Sequence, residues 1–270
     1  YKKAVELIDL ENFIDYIMLC VYVDMDDWPY NNWRSGRERR AGAKWRFYLW
    51  DAERSFGTDG KQMLGRQRRV VTSDNLTSGA LASGADIARI FQSFAANPEF
   101  RLSFADRVHR HYFNDGVLTD ENIAQRHREL AEQMRHVLPD MSPYIGEVWI
   151  PRRRVIVMEQ MERLDLQRSA NAPRFSRHGG TVSAGFKLSI TAPEGEVHYT
   201  IDGTDPRGQS AKLFTEPVAF DGYTTIKART RVDGKWSALT EATFTPESLG
   251  FPVKFTEVMY YPIGGSEYEF

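Results

Sequence analysis

Apolar positions recur along this chain with two different periods, and the change from one to the other divides it. Leu10, Phe13, Ile14, Ile17, Met18 and Val21 fall on one face of a helix that Asp9 is placed to cap. Asp26-Asp27-Trp28-Pro29 ends that helix, because proline disfavours the α conformation in the residue before it. A short strand is predicted over 44–50, where Trp45, Phe47 and Leu49 alternate before Asp51, and a Gly/Ser/Thr-rich loop over 72–84. Helices are predicted over 86–96, 98–112, 120–138 and 143–168, with Asn97 before Pro98 and Thr119 before Asp120 as start signals.

Small, polar and turn-forming residues fill 169–180, and beyond them the period becomes two. Strands are predicted over 186–191, 196–201, 224–232 and 241–245, separated by Pro193-Glu194-Gly195, Asp202-Gly203 and Asp233-Gly234 turns. A further strand, 255–261, follows. The pattern predicts a multidomain α+β protein, with a mostly helical unit over 1–172, a β-sandwich over 173–248 and a third, cut-off β segment over 249–270. A length of 270 residues, more than one modest core usually holds, agrees with several units.

Composition removes several function classes. With 41% hydrophobic and 27% charged residues the chain is globular rather than disordered. A net charge of -2 recommends neither nucleic acid nor an anionic membrane as partner. The arginine-rich stretches 37–40, 66–69 and 152–154 read as local solvated faces. The single cysteine, Cys20, lies in an apolar helical run, reads as a buried hydrophobe, and excludes a disulfide framework or a cysteine zinc cluster. No window of apolar residues is long enough for a membrane-spanning helix. Starting at Tyr1 and stopping inside a predicted strand, the chain reads as part of a longer protein, with any targeting signal lying elsewhere.

The chemistry-bearing residues lie in two blocks, Asp27-Trp28-Pro29-Tyr30-Asn31-Asn32 and Trp45 through Trp50-Asp51-Ala52-Glu53-Arg54-Ser55-Phe56-Gly57. Phosphoryl transfer needs a carboxylate to accept the hydroxyl proton and oxygen ligands to hold magnesium on the phosphates. An Asp and an Asn on one loop, followed by an Asp at the end of the next strand, supply such parts in the order used by protein kinases. The same spacing also suits a helix-terminating loop of Asx-turns, with Trp28, Trp33, Trp45 and Trp50 as packing residues.

The Asp-Trp-Pro-x-Asn-Asn-Trp loop and the Trp-Asp-x-Glu-x-Ser-Phe-Gly turn resemble the CotH family, atypical kinases of the spore-coat protein H type. The resemblance covers roughly residues 1–170 and implies the C-terminal part of a kinase-like domain, with ATP and Mg2+ as cofactors. It implies Asp27 as catalytic base, Asn32 as a magnesium ligand and Asp51 as the main magnesium ligand, with Asn31 and Glu53 as secondary nucleotide-site residues. Met25-Asp26 stands where the family commonly has Asn-Thr, and Glu53 where it has Asp. No glycine-rich loop or strand lysine precedes Asp27, so these 270 residues alone are expected to be catalytically silent.

Val197 through Arg207 and Thr225 through Thr230 resemble the chitobiase/β-hexosaminidase C-terminal, or Fn3-associated, module, which implies an immunoglobulin-like sandwich. Its Asp202-Gly203 and Asp205-Pro206 bends read as structural, and His198 as a surface strand residue. Residues 255–262 and 264–270 resemble the first strands of a lamin-tail domain. Together the resemblances imply a modular, secreted or cell-surface bacterial protein that transfers the ATP γ-phosphate to protein hydroxyls. The rival reading is a non-catalytic surface or matrix scaffold whose β modules contact glycans or proteins.

Overall fold

The structure, a computed structural model, describes residues 1–26, 28–52, 54–57, 70–137 and 143–247. Asp27, Glu53 and the lamin-tail-like segment lie outside the described residues. A short helix α1 (Lys2–Leu7) leads into α2 (Leu10–Val23), which Asp9 caps by accepting the Asn12 N–H at 3.2 Å. Of the predicted stripe of α2, Phe13, Ile14, Ile17, Met18 and Val21 are buried and Leu10 partly so, but Tyr16, Cys20, Tyr22 and Val23 are buried as well, so the helix is enclosed on more than one side. Burial also pushes the Cys20 thiol up, which leaves it a protonated packing group.

Two short strands follow as an antiparallel ribbon, β1 (Trp33–Gly36) and β2 (Arg46–Leu49), in a register that pairs Trp33 with Leu49 and Gly36 with Arg46. Of the alternating trio expected inward, Phe47 alone is buried, whereas Trp45 and Leu49 are each 39% exposed. A two-stranded ribbon has little core behind it, and Phe47 fills the one gap, against Phe13 and Tyr16.

The helical unit is completed by a 3-10 turn at Ala80–Ala82, α3 (Asp86–Ala95), α4 (Pro98–Tyr112), α5 (Asp120–Met134) and α6 (Ile150–Glu162). Asn97 caps α4 by accepting the Glu99 N–H at 2.9 Å, with Pro98 at the first position as predicted. A π-helical turn, Ile145–Trp149, precedes α6, where Pro151 has no N–H to give the turn before it. Phe91, Phe94, Phe100 and Phe104 pack edge to face, stacked or tilted between α3 and α4. Among the described residues no helix is long and apolar enough to cross a membrane.

Beyond residue 173 the elements are strands β3 (Arg174–Phe175), β4 (Gly180–Val182), β5 (Lys187–Leu188), β6 (Ile190–Thr191), β7 (Glu196–Thr200), β8 (Lys212–Leu213), β9 (Val218–Ala219), β10 (Thr224–Val232), β11 (Lys235–Trp236) and β12 (Thr240–Pro246). The main sheet runs β4-β12-β10-β7-β8, with β11 pairing β10, while β3 pairs β6 and β5 pairs β9. β12 and β4 run parallel and the other pairs antiparallel. Leu188, Ile190, Val197, Ile226 and Phe244 form part of its core. Helices followed by a sheet-rich unit make the α+β organisation expected from the change of period.

The sandwich sits on α4. Arg229 of β10, 1% exposed, donates to both oxygens of Asp106 at 2.7 and 2.6 Å and to both of Asp205 at 3.0 Å. Asp106 also accepts the Leu239 N–H at 2.9 Å. The Thr240 hydroxyl gives its one proton to the Pro173 carbonyl at 2.6 Å, so it accepts from His109 Nε2–H at 3.1 Å. Asp205, read from sequence as a bend residue only, is thus also an ion-pair partner.

Candidate active site

The end of α2 and the turn after β2 are laced together by main-chain bonds. Asp24 closes α2 in a left-handed conformation (φ 52°). Phe56 N–H donates to the Val23 carbonyl at 2.6 Å, and Asp26 N–H to the Arg54 carbonyl at 3.0 Å. The Arg54 and Asp26 side chains form an ion pair at 2.6 Å. Trp28, 2% exposed, donates its indole N–H to Tyr16 Oη at 2.7 Å and follows through a cis bond into Pro29. That bond ties the loop after α2 to the middle of α2.

Because β1 and β2 pair in register, the residue before β1 and the residues after β2 lie at the same end of the ribbon. Asn32 (φ 55°) and Asp51 (φ 57°) both adopt left-handed backbone there, which Asn and Asp tolerate better than most residues. They line one cleft of about 520 Å3 with Tyr30, Asn31, Trp33, Arg34 and Arg54. Three of the five residues singled out in sequence, Asn31, Asn32 and Asp51, are therefore brought together. Asp27 and Glu53 lie outside the described residues. Arg34 and Arg54 were not anticipated; a cation beside each acidic or amide block was the available signal.

A second unanticipated residue supports the site from behind. Arg153, from a stretch read as a solvated face, is completely buried. It donates to the carbonyls of Val21 (2.6 Å), Tyr22 (3.0 Å), Val71 (2.7 Å) and Ser73 (2.7 Å), and its guanidinium lies 4.9 Å from the Trp149 ring. The last carbonyls of a helix carry its negative dipole end, so a cation there is favoured and the α2 terminus is held in place. Burial lowers the Arg153 pKa, opposed by Asp24, which is itself buried and accepts the Asn75 amide at 2.6 Å. The solvated-face reading holds for Arg152 but fails for Arg153 because four carbonyls replace water around its fork. Arg154 is half-buried and pairs with Asp120 at 3.1 and 3.2 Å.

Among the described residues no group of three or more His, Cys, Asp or Glu side chains converges to hold a metal. Magnesium carried on nucleotide phosphates needs fewer, taking one or two carboxylates and filling its shell with phosphate and water oxygens. The Asp51 carboxylate and the Asn32 amide oxygen, lining one open polar cleft, fit that donor set.

A family model described as CotH kinase protein matches residues 1–145, and one described as Chitobiase/beta-hexosaminidase C-terminal domain matches residues 177–243. No curated protein and no solved structure matches the chain.

Proposed function

Because this chain belongs to the CotH kinase protein family, we propose that it transfers the γ-phosphate of ATP to a hydroxyl of an acceptor protein. The observation carrying the proposal is the meeting of Asn31, Asn32 and Asp51 in one cleft at the end of the β1–β2 ribbon. In this reading Asp51 and Asn32 hold magnesium, with Asn31 and Glu53 as further oxygen donors. Bound magnesium supplies charge neutralisation across the phosphate oxygens. Asp27 accepts the proton of the attacking hydroxyl. Arg34 and Arg54 add positive charge to the wall of the cleft, and the lacing of 23–26 to 54–56 holds the end of α2 against the turn after β2.

The test is phosphate transfer by the longest natural chain carrying this sequence, read by mass spectrometry of acceptor peptides. Asp51→Asn is expected to abolish Mg-ATP binding and transfer together. Asp27→Asn is expected to lower turnover roughly 100- to 10,000-fold while leaving nucleotide affinity near wild type. Wild-type turnover in Asp27→Asn would show that the base lies elsewhere.

A further inference from the structure

We propose that the β1–β2 ribbon is a docking arm for an acidic segment of the acceptor protein, an inference that rests on the phosphotransfer reading above. The arm is strongly cationic on a chain whose net charge is -2. Between positions 33 and 50 stand Arg34, Arg37, Arg39, Arg40, Lys44 and Arg46 against the single acid Glu38, and all six cations are exposed. Arg40 pairs with Glu38, and Arg46 with Asp9 at 3.3 Å. Arg37, Arg39 and Lys44, toward the tip, have no carboxylate partner among the described residues.

The arm also keeps some of its large side chains outward. Tyr48 is 50% and Trp50 52% exposed. Their neighbours decide what these rings suit. The Arg34 guanidinium lies 4.8 Å from the Trp50 ring and Arg37 5.2 Å from the Trp45 ring. A sugar would need the Trp45 and Trp50 faces bare, and here a guanidinium lies over each. Stacking holds each guanidinium in place while leaving its N–H edge to meet a carboxylate. An extended acidic peptide therefore fits, with carboxylates on the arginines and apolar neighbours against the ring edges.

Position links the arm to chemistry. The ribbon ends at Asn32 and Asp51, so a peptide lying along it is fed into the cleft. Strand residues rise about 3.3 Å each, so the four-residue arm spans roughly 13 Å, the reach of about four extended peptide residues. Acidic residues about three to six positions from the accepting hydroxyl would meet Arg37, Arg39 and Lys44.

The experiment uses the longest natural chain carrying this sequence and three serine peptides of equal length whose flanks are Asp/Glu, neutral or Lys/Arg, plus a single-stranded oligonucleotide, titrated calorimetrically without nucleotide. The wild-type chain is expected to bind the acidic peptide preferentially. Substituting R37Q, R39Q and K44Q together is expected to weaken it about tenfold, as loss of three exposed charge contacts implies. Those residues lie outside the cleft, so transfer to the neutral peptide should be unchanged and melting should confirm an intact fold. Equal binding of the acidic peptide by the triple variant would overturn the proposal, as would tighter binding of the basic peptide or the oligonucleotide. Selective acidic binding without transfer to any peptide would instead sink the phosphotransfer reading.

Discussion

Arg153 ties two separate pieces of backbone, the end of α2 and the stretch from Val71 to Ser73, to the first turn of α6. Arg153→Met fills much of the same volume but strips the guanidinium from four carbonyls, of which Val21 keeps the Asp24 N–H and Ser73 the Gln160 amide while Tyr22 and Val71 lose the donor it supplies. Each such group costs about 1–3 kcal/mol, so destabilisation on the order of 3–5 kcal/mol is expected after relaxation. Arg153→Lys keeps the charge with only three donors and should fall between, and urea unfolding of the three proteins measures the order. At this scale the sequence was legible where the cause is local. Asp9 and Asn97 cap helices two or three residues away, whereas Asp51 reaches the cleft of Asn31 and Asn32 only through the pairing of β1 with β2. Arg153 was not legible, because its partners in α2 are 131 and 132 positions distant and a run of three arginines looks solvated from within.

At the scale of elements, Asn12 fastens the ribbon to α2. Its side chain accepts the Phe47 N–H at 2.6 Å and donates to the Phe47 carbonyl at 3.2 Å, as a neighbouring strand would. Asn12→Ala removes both bonds, for roughly 1–2 kcal/mol, and frees the strand that ends two residues before Asp51. Faster amide exchange across β1 and β2, with weaker Mg-ATP binding and little change in α4, is the expected result. Exchange unchanged at Phe47 would show that packing alone holds the strand. Alternation predicted β2 but could not say how many of its apolar residues find a core. β1 went unseen because Trp-Arg-Ser-Gly has no alternation, and its strand character comes from pairing with β2.

The molecule as a whole depends on contacts that no local pattern announces. The change of period separated helical unit from sandwich, yet Arg229 and Asp106, which join them, are 123 positions apart. His109 at this junction is held well below its usual pKa, to about 4, by burial and by nearby His178, itself lowered by burial. Arg110, Asp115 and Glu241 line the same cleft. The unfolded chain takes up a proton near pH 6.5, whereas folded His109 stays neutral until about pH 4, so the unfolded state binds more protons between them. Stability is therefore undiminished above about pH 6.5 and falls as pH drops toward 4, by on the order of 3 kcal/mol from His109. Unfolding midpoints at pH 7 and pH 5 measure this, and His109→Gln should flatten the difference.

The parallel pairing of β4 with β12 has a mechanical consequence. A load that enters the sandwich before β4 and leaves after β12 pulls those neighbouring strands along their length in opposite directions. The bonds aligning Phe244 with Gly180, Thr245 with Thr181 and Pro246 with Val182 then share the load in shear, and fail together rather than peeling one at a time. Single-molecule pulling between residues 173 and 247 is expected to give one abrupt rupture. Thr181→Pro, which withdraws an N–H from that short ladder, should lower the rupture force, and an unchanged force would locate the resistance in β10 and β7 instead. By this geometry the sandwich resists tension applied between its two ends.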